Sequence, residues 1–244
     1  MRMTKLEYLG SSHPEYFKLL QNWQKTGINV LPNLFNCYDE NSNESKRVVA
    51  YQLNKKSFTL IAKQEKKIKN LIVHMGAREF RTAALLDIPI VPFFQPILEL
   101  SYEDGESAYG HFDWAPNPTF VNDATSVSSQ ADAIPGAGAY LFILSWLELR
   151  FNQLHEPFMS ITNGKNQRVK SYVFQTGESK AIINEIVSEG RKVINLYLGN
   201  GIRVSAHPFS FRPILEVSSE EGNNFVNGSS YFDFCNPCPP YCND

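Results

Sequence analysis

The chain has 244 residues, 43% of them apolar, with 17 Phe and 11 Tyr, enough for a packed core and too many for a globally disordered chain. A formal net charge of −2 gives no basic excess to neutralise phosphates, which argues against a nucleic-acid binder. The longest apolar run, 139–146, is far too short to cross a bilayer, and the N-terminus lacks the apolar segment of an export signal. A cytoplasmic protein, in a compartment where disulfides are uncommon, is the expectation.

The first predicted element is a helix in which Tyr16, Phe17, Leu20 and Trp23 share one face. A polar loop follows around 36–45, and the β-branched alternation of 47–53 predicts a strand. Residues 57–76 read as a second helix, with Ser57 as N-cap, apolar Phe58, Leu60, Ile61, Ile68, Leu71 and Ile72, and Gly76 near its end. Strands are then predicted over 88–94, 96–102 and 107–114, the last two joined by a turn through Gly105. A polar, small-residue connection occupies 119–138. After it comes a helix ending at Trp146, a strand over 168–174 and a helix over 178–199 that Gly190 weakens. Strands over 202–211, 213–219 and 229–234 complete the chain.

The second series repeats the first. Residues 96–105 read PILELSYEDG and residues 213–222 read PILEVSSEEG, differing only at Leu100/Val217, Tyr102/Ser219 and Asp104/Glu221. The likeness extends outward in the same order. HFDWAPNP (111–118) faces YFDFCNPC (231–238), RVVAYQL (47–53) faces RVKSYVF (168–174), and EYFKLLQNW (15–23) faces GAYLFILSW (138–146). Chance matches would not stay collinear. The fold expected is therefore α+β with a tandem internal duplication, each copy roughly α-β-α-β-β-β. Copy 1 would span 1–118, 119–138 would connect, and copy 2 would span 139–244, the two packed as a pseudo-two-fold dimer.

Pockets favour such an interface, so residues kept in both copies are the first candidates for a site. Glu99 with Glu216, and Asp113 with Asp233, could pair as acid and base or hold a divalent cation. The plainer expectation is that these residues serve the strand and turn they belong to. His74 and His111 become Tyr197 and Tyr231 in the other copy, a swap suited to half-buried rings with one polar atom. No zinc-protease, nucleophile-elbow, phosphate-loop or dinucleotide motif is present. Cys235, Cys238 and Cys242 crowd the tail where copy 1 has no thiols, and with Cys37 they are candidate zinc ligands. Inert or disulfide-forming thiols are the more ordinary reading, so no cofactor is expected. Tyr102, Tyr109, Trp114, Phe225 and Tyr231 look like exposed aromatics of a contact surface. Together these point to a non-enzymatic binding protein, monomer or homodimer. It would receive a protein partner or small ligand in the groove or on the sheet between copies, with no nucleic acid and no membrane. The alternative is a hydrolase using paired carboxylates, with or without a divalent metal.

Overall fold

The structure, a computed structural model, describes residues 9–10, 14–39, 44–80, 91–115, 134–162, 165–202, 209–219, 229–233 and 235–238. The first half contributes β1 (Leu9–Gly10), α1 (Pro14–Lys25), β2 (Asn36–Asp39), β3 (Glu44–Arg47), β4 (Ala50–Leu53), α2 (Lys55–Gln64) and β5 (Ile68–His74). It continues with β6 (Ala77–Phe80), β7 (Val91–Phe94), β8 (Ile97–Tyr102) and β9 (Ser107–Ala115). The second half contributes α3 (Gly136–Glu148), β10 (Met159–Thr162), β11 (Lys165–Arg168), β12 (Ser171–Phe174) and α4 (Thr176–Val187). It ends with β13 (Val193–Ile202), β14 (Phe209–Ser218), β15 (Ser230–Phe232) and β16 (Cys235–Cys238). The fold is α+β, as the periodicities predict.

Two of the predicted helices are shorter than expected, and their second parts are strands. Helix α2 is capped by Asn54, whose Oδ1 accepts the Ser57 N–H at 2.9 Å, so the N-cap is Asn54 and not Ser57. The helix stops at Gln64 and β5 begins at Ile68. Ile68, Leu71 and Ile72 have helical spacing, but β5 is an interior strand between β8 and β12. Both of its faces are largely covered, which removes the alternation that normally marks a strand. In the second half α4 ends at Val187, and Gly190, at φ +64°, turns the chain into β13. The predicted strands over 202–211 and 213–219 merge into β14 from Phe209 onward. Of the predicted 88–94 strand, Val91–Phe94 pairs with β6 in a small separate sheet. The predicted loop around 36–45 contributes β2 and the start of β3, which pair as a hairpin.

The main sheet is antiparallel throughout and runs β15-β14-β13-β4-β9-β8-β5-β12-β16, with β1 added beside β9. Its two end strands are consecutive in the chain, so the sheet curls back on itself. Strands of the two halves are interleaved: β4 pairs with β13, and β12 pairs with β5. Alternation puts Leu98 and Leu100 on one face, within a large core that includes Ile61 of α2 and Ile182, Ile183 and Ile186 of α4. The opposite face carries Ile97 and Glu99, and there Ile97 and Tyr109 meet Tyr16 and Leu19 of α1. Gly76 and Gly199 sit where α1 and α3 approach the sheet. A Cβ on Gly76 would lie 3.4 Å from Leu19 Cβ, and one on Gly199 would lie 3.2 Å from Phe142 Cβ.

The halves meet in contacts that occur twice with their roles exchanged. Trp23 Nε1 donates to Val169 O at 2.8 Å, and Trp146 Nε1 donates to Val48 O at 3.1 Å. Arg168 Nη1 donates to the carbonyls of Trp23 and Thr26 at the end of α1. Arg47 Nη1 does the same for Trp146, Leu147 and Leu149 at the end of α3. A guanidinium at a helix C-terminus satisfies orphan carbonyls and complements the helix dipole. Met75 N–H reaches Lys170 O, and Leu198 N–H reaches Val49 O, both at 2.8 Å. Phe35 and Phe158 stack at 5.1 Å with an interplanar angle of 3°. Trp23 lies edge-on to Phe158 and Trp146 edge-on to Phe35.

Candidate functional site

The two repeated glutamates occupy like positions on the same face of the sheet but in different surroundings. Glu99, on β8, has its Oε2 2.6 Å from His74 Nε2 on β5. Its Oε1 accepts the Ser107 hydroxyl of β9 at 2.7 Å. Tyr16 of α1 stands edge-on to His74 at 5.4 Å and lies 4.1 Å from the Tyr109 ring, so the helix roofs this network. Burial opposes ionisation of Glu99, but the bonds from His74 and Ser107 and the His74 charge outweigh it. The carboxyl is held below its ordinary value. Burial, followed by the Glu99 charge, pushes the hydroxyls of Tyr16 and Tyr109 up.

Glu216, on β14, is completely buried. It accepts Asn195 Nδ2 at 2.8 Å, the Tyr197 hydroxyl at 2.6 Å and the Tyr231 hydroxyl at 3.2 Å. Burial first, then the Glu216 charge, raises both tyrosines well above their usual range. Where the first half has His74, the second has Tyr197, so one carboxylate faces a titratable ring and the other two neutral phenols. Three strands separate β8 from β14 along the sheet. At about 4.8 Å per strand step that is roughly 19 Å. The glutamates are held in separate hydrogen-bond networks, with no partner in common among these bonds.

The aspartates likewise have different partners. Asp113 lies on β9, half-exposed, with Oδ1 3.1 Å from His111 Nε2. Asn54 presents its Nδ2 to His111 Nδ1 and to His111 O, while its Oδ1 is taken by the α2 N-terminus. The amide orientation makes Nδ1 the acceptor, so Nε2 carries the proton toward Asp113. Asp233 follows β15, is buried, and accepts Arg212 Nη1 at 2.7 Å, with the Arg212 guanidinium over the Phe142 ring at 4.8 Å.

Neither glutamate network has the order needed for nucleophilic catalysis. A hydroxyl nucleophile needs a base against its oxygen, with the carboxylate behind the base. At Glu99 the carboxylate stands in the middle, binding Ser107 with one oxygen and His74 with the other. Among the described residues Glu216 has no histidine as a hydrogen-bond partner. Among the described residues no three His, Cys, Asp or Glu side chains gather as a metal site.

Of the aromatics expected at the surface, Trp114 is 52% exposed, but Tyr102, Tyr109 and Tyr231 are buried. Their rings pack in the cores, and the Tyr231 hydroxyl is turned inward onto Glu216. The expectation of exposure fails for these three because an aromatic with one polar atom is as well suited to a buried hydrogen bond as to a wet surface. Phe225 and Cys242 lie outside the described residues. Cys37 lies on β2 opposite Lys46, while Cys235 and Cys238 open and close β16 opposite Phe174 and Ser171.

Sequence reasoning missed the exposed apolar residues Ile28, Val30 and Phe151, which are 47%, 39% and 50% exposed. Ile28 and Val30 lead into a 3-10 turn at Leu31–Phe35, which contacts the turn Phe151–Gln153 of the other half. Continuing the match of Trp23 with Trp146 along the chain pairs Ile28 with Phe151, a signal present in the sequence. No helix among the described residues is long and apolar enough to cross a membrane. Comparison with known proteins finds no family model, curated protein or solved structure that matches the chain.

Proposed function

We propose that the chain is a non-enzymatic binding protein made of two copies of one α+β unit, residues 1–118 and 139–244. A protein partner docks on the surface where the copies meet. The reciprocal contacts of Trp23 with Val169 and Trp146 with Val48 support the duplication, since every residue has its sequence counterpart in the matching role. The interleaved order of the sheet supports a pseudo-two-fold arrangement of the copies.

The observation that carries the binding reading is the exposure of large apolar side chains at matched positions, Ile28 and Phe151, beside touching turns of the two halves. Exposed apolar groups gathered at one place mark contact surfaces more often than scattered ones do. Phe35, which ends the turn that Ile28 leads into, stacks on Phe158 of the other half. Trp114 is a second exposed anchor of the type enriched at interface hot spots. The separated, internally bonded glutamates give a paired-carboxylate hydrolase little to work with, so the binding reading is preferred.

The test places a photo-crosslinking residue at position 28, 151 or, as a control, at exposed Glu103, in the intact protein inside cells. The reading expects positions 28 and 151 to capture the same polypeptide and position 103 not to. Binding of that polypeptide to the purified protein should fall at least tenfold with Phe151→Ser. Capture of different polypeptides, or no effect of Phe151→Ser on a retained partner, would refute it.

A further inference from the structure

The repeat boundary in the sequence does not divide the core. Strand β4 of the first half finds its partners in β9 of its own half and β13 of the other. Strand β12 of the second half lies between β16 of its own half and β5 of the other. Each half thus gives the strand that its partner's central hairpin needs at its edge. The buried indoles point the same way, because Trp23 and Trp146 each place their only N–H donor on a carbonyl of the opposite half. Arg47 and Arg168 each close the first helix of the opposite half, and Phe35 meets its own counterpart, Phe158, face to face. Removing either half would bare a strand edge, a helix end and buried aromatic rings together.

From this we infer that the two halves form a self-complementary, strand-exchanging interface, and that the covalent link between them, the connection expected at 119–138, is not needed to hold them together. The partner that each half's face fits is a second copy of the same unit, which here is supplied by the same chain. The inference rests on the duplication proposed above. It goes further by assigning the association to strand pairing and the aromatic seam, with the covalent link raising only the effective concentration.

The test inserts a site-specific protease sequence between residues 124 and 125 of the full chain and cuts it to completion. The expected result is that both fragments stay together through size-exclusion chromatography and native mass spectrometry as one particle near 27.7 kDa. The spectrum of amide resonances should be nearly unchanged. Fragments that separate under native conditions would overturn the inference. A comparison of Trp23→Phe with Trp146→Phe in the cut protein distinguishes the two ideas. Equal weakening of fragment association, within about threefold, fits both the exchange and the duplication. Strong association with widely unequal effects keeps the interlock and removes the equivalence of the copies.

Discussion

Replacing Glu216 by Leu removes a completely buried carboxylate that three donors share. The Asn195 amide and the Tyr197 and Tyr231 hydroxyls would each lose this acceptor. A buried donor left without a partner costs about 1–3 kcal/mol, while the hydroxyls can turn toward neighbours and the desolvation of the carboxylate is recovered. A net loss of about 3–5 kcal/mol follows, a large share of the 5–15 kcal/mol typical of a whole protein. The matching Glu99→Leu change should cost about 1–2 kcal/mol, because the side chains of Glu99 and His74 are each 14% exposed and the freed His74 can reach water. Urea denaturation followed by fluorescence measures both, with an unchanged m-value as the check that the same surface unfolds. Equal losses would contradict the distinction drawn between the two networks. A stability gain at Glu216 would mean that the recovered desolvation of the carboxylate outweighs its three hydrogen bonds and would refute the expected loss.

Other consequences are equally open to measurement. The Glu99 carboxyl is held below its ordinary value, so its contribution to stability is present above the unfolded-state value of about 4.3 and is lost as pH falls through the lower folded-state value. Denaturation midpoints should therefore drop below about pH 4.3, and less steeply in Glu99→Gln; parallel profiles would refute this. A Cβ on Gly76 would come within 2.5 Å of Gln95 O, and one on Gly199 within 2.9 Å of Arg212 O. Gly76→Ala and Gly199→Ala should each destabilise by about 1–3 kcal/mol in thermal melts, and a neutral result at both would mean the sheet gives way. Asn54→Ala removes the α2 N-cap and a donor to His111 O, so a loss of about 1–2 kcal/mol is expected by calorimetry.

Much of the element order was legible because α1, α3, β8 and β9 each present an ordinary pattern of one buried and one more open face. The error at 57–76 has a physical origin. Apolar residues at Ile68, Leu71 and Ile72 satisfy a helix template, yet they belong to a strand covered on both sides, where periodicity no longer distinguishes the two. Gly190 marked the corresponding break in the second half, and its left-handed backbone is where the chain turns into β13. The networks around Glu99 and Glu216 were half legible. The exchange of His74 for Tyr197 pointed to a ring with one buried polar atom. The bonds to Ser107, Asn195 and Tyr231 depend on strand register, which no single sequence prints. Burial of Tyr102, Tyr109 and Tyr231 escaped notice because the polar atom of tyrosine hides the direction in which the ring packs.

Native-state hydrogen exchange of four amides tests the interlocked pair most directly. Val48 and Val169 donate to Phe35 O and Phe158 O, while Met75 and Leu198 donate across the halves to Lys170 O and Val49 O. If the copies form one cooperative body, all four should exchange only through global unfolding, with opening free energies equal to one another and to the stability from denaturation. Exchange of Val48 and Met75 at a distinctly lower free energy than Val169 and Leu198, or the reverse, would mean that one half opens without the other and would contradict the account.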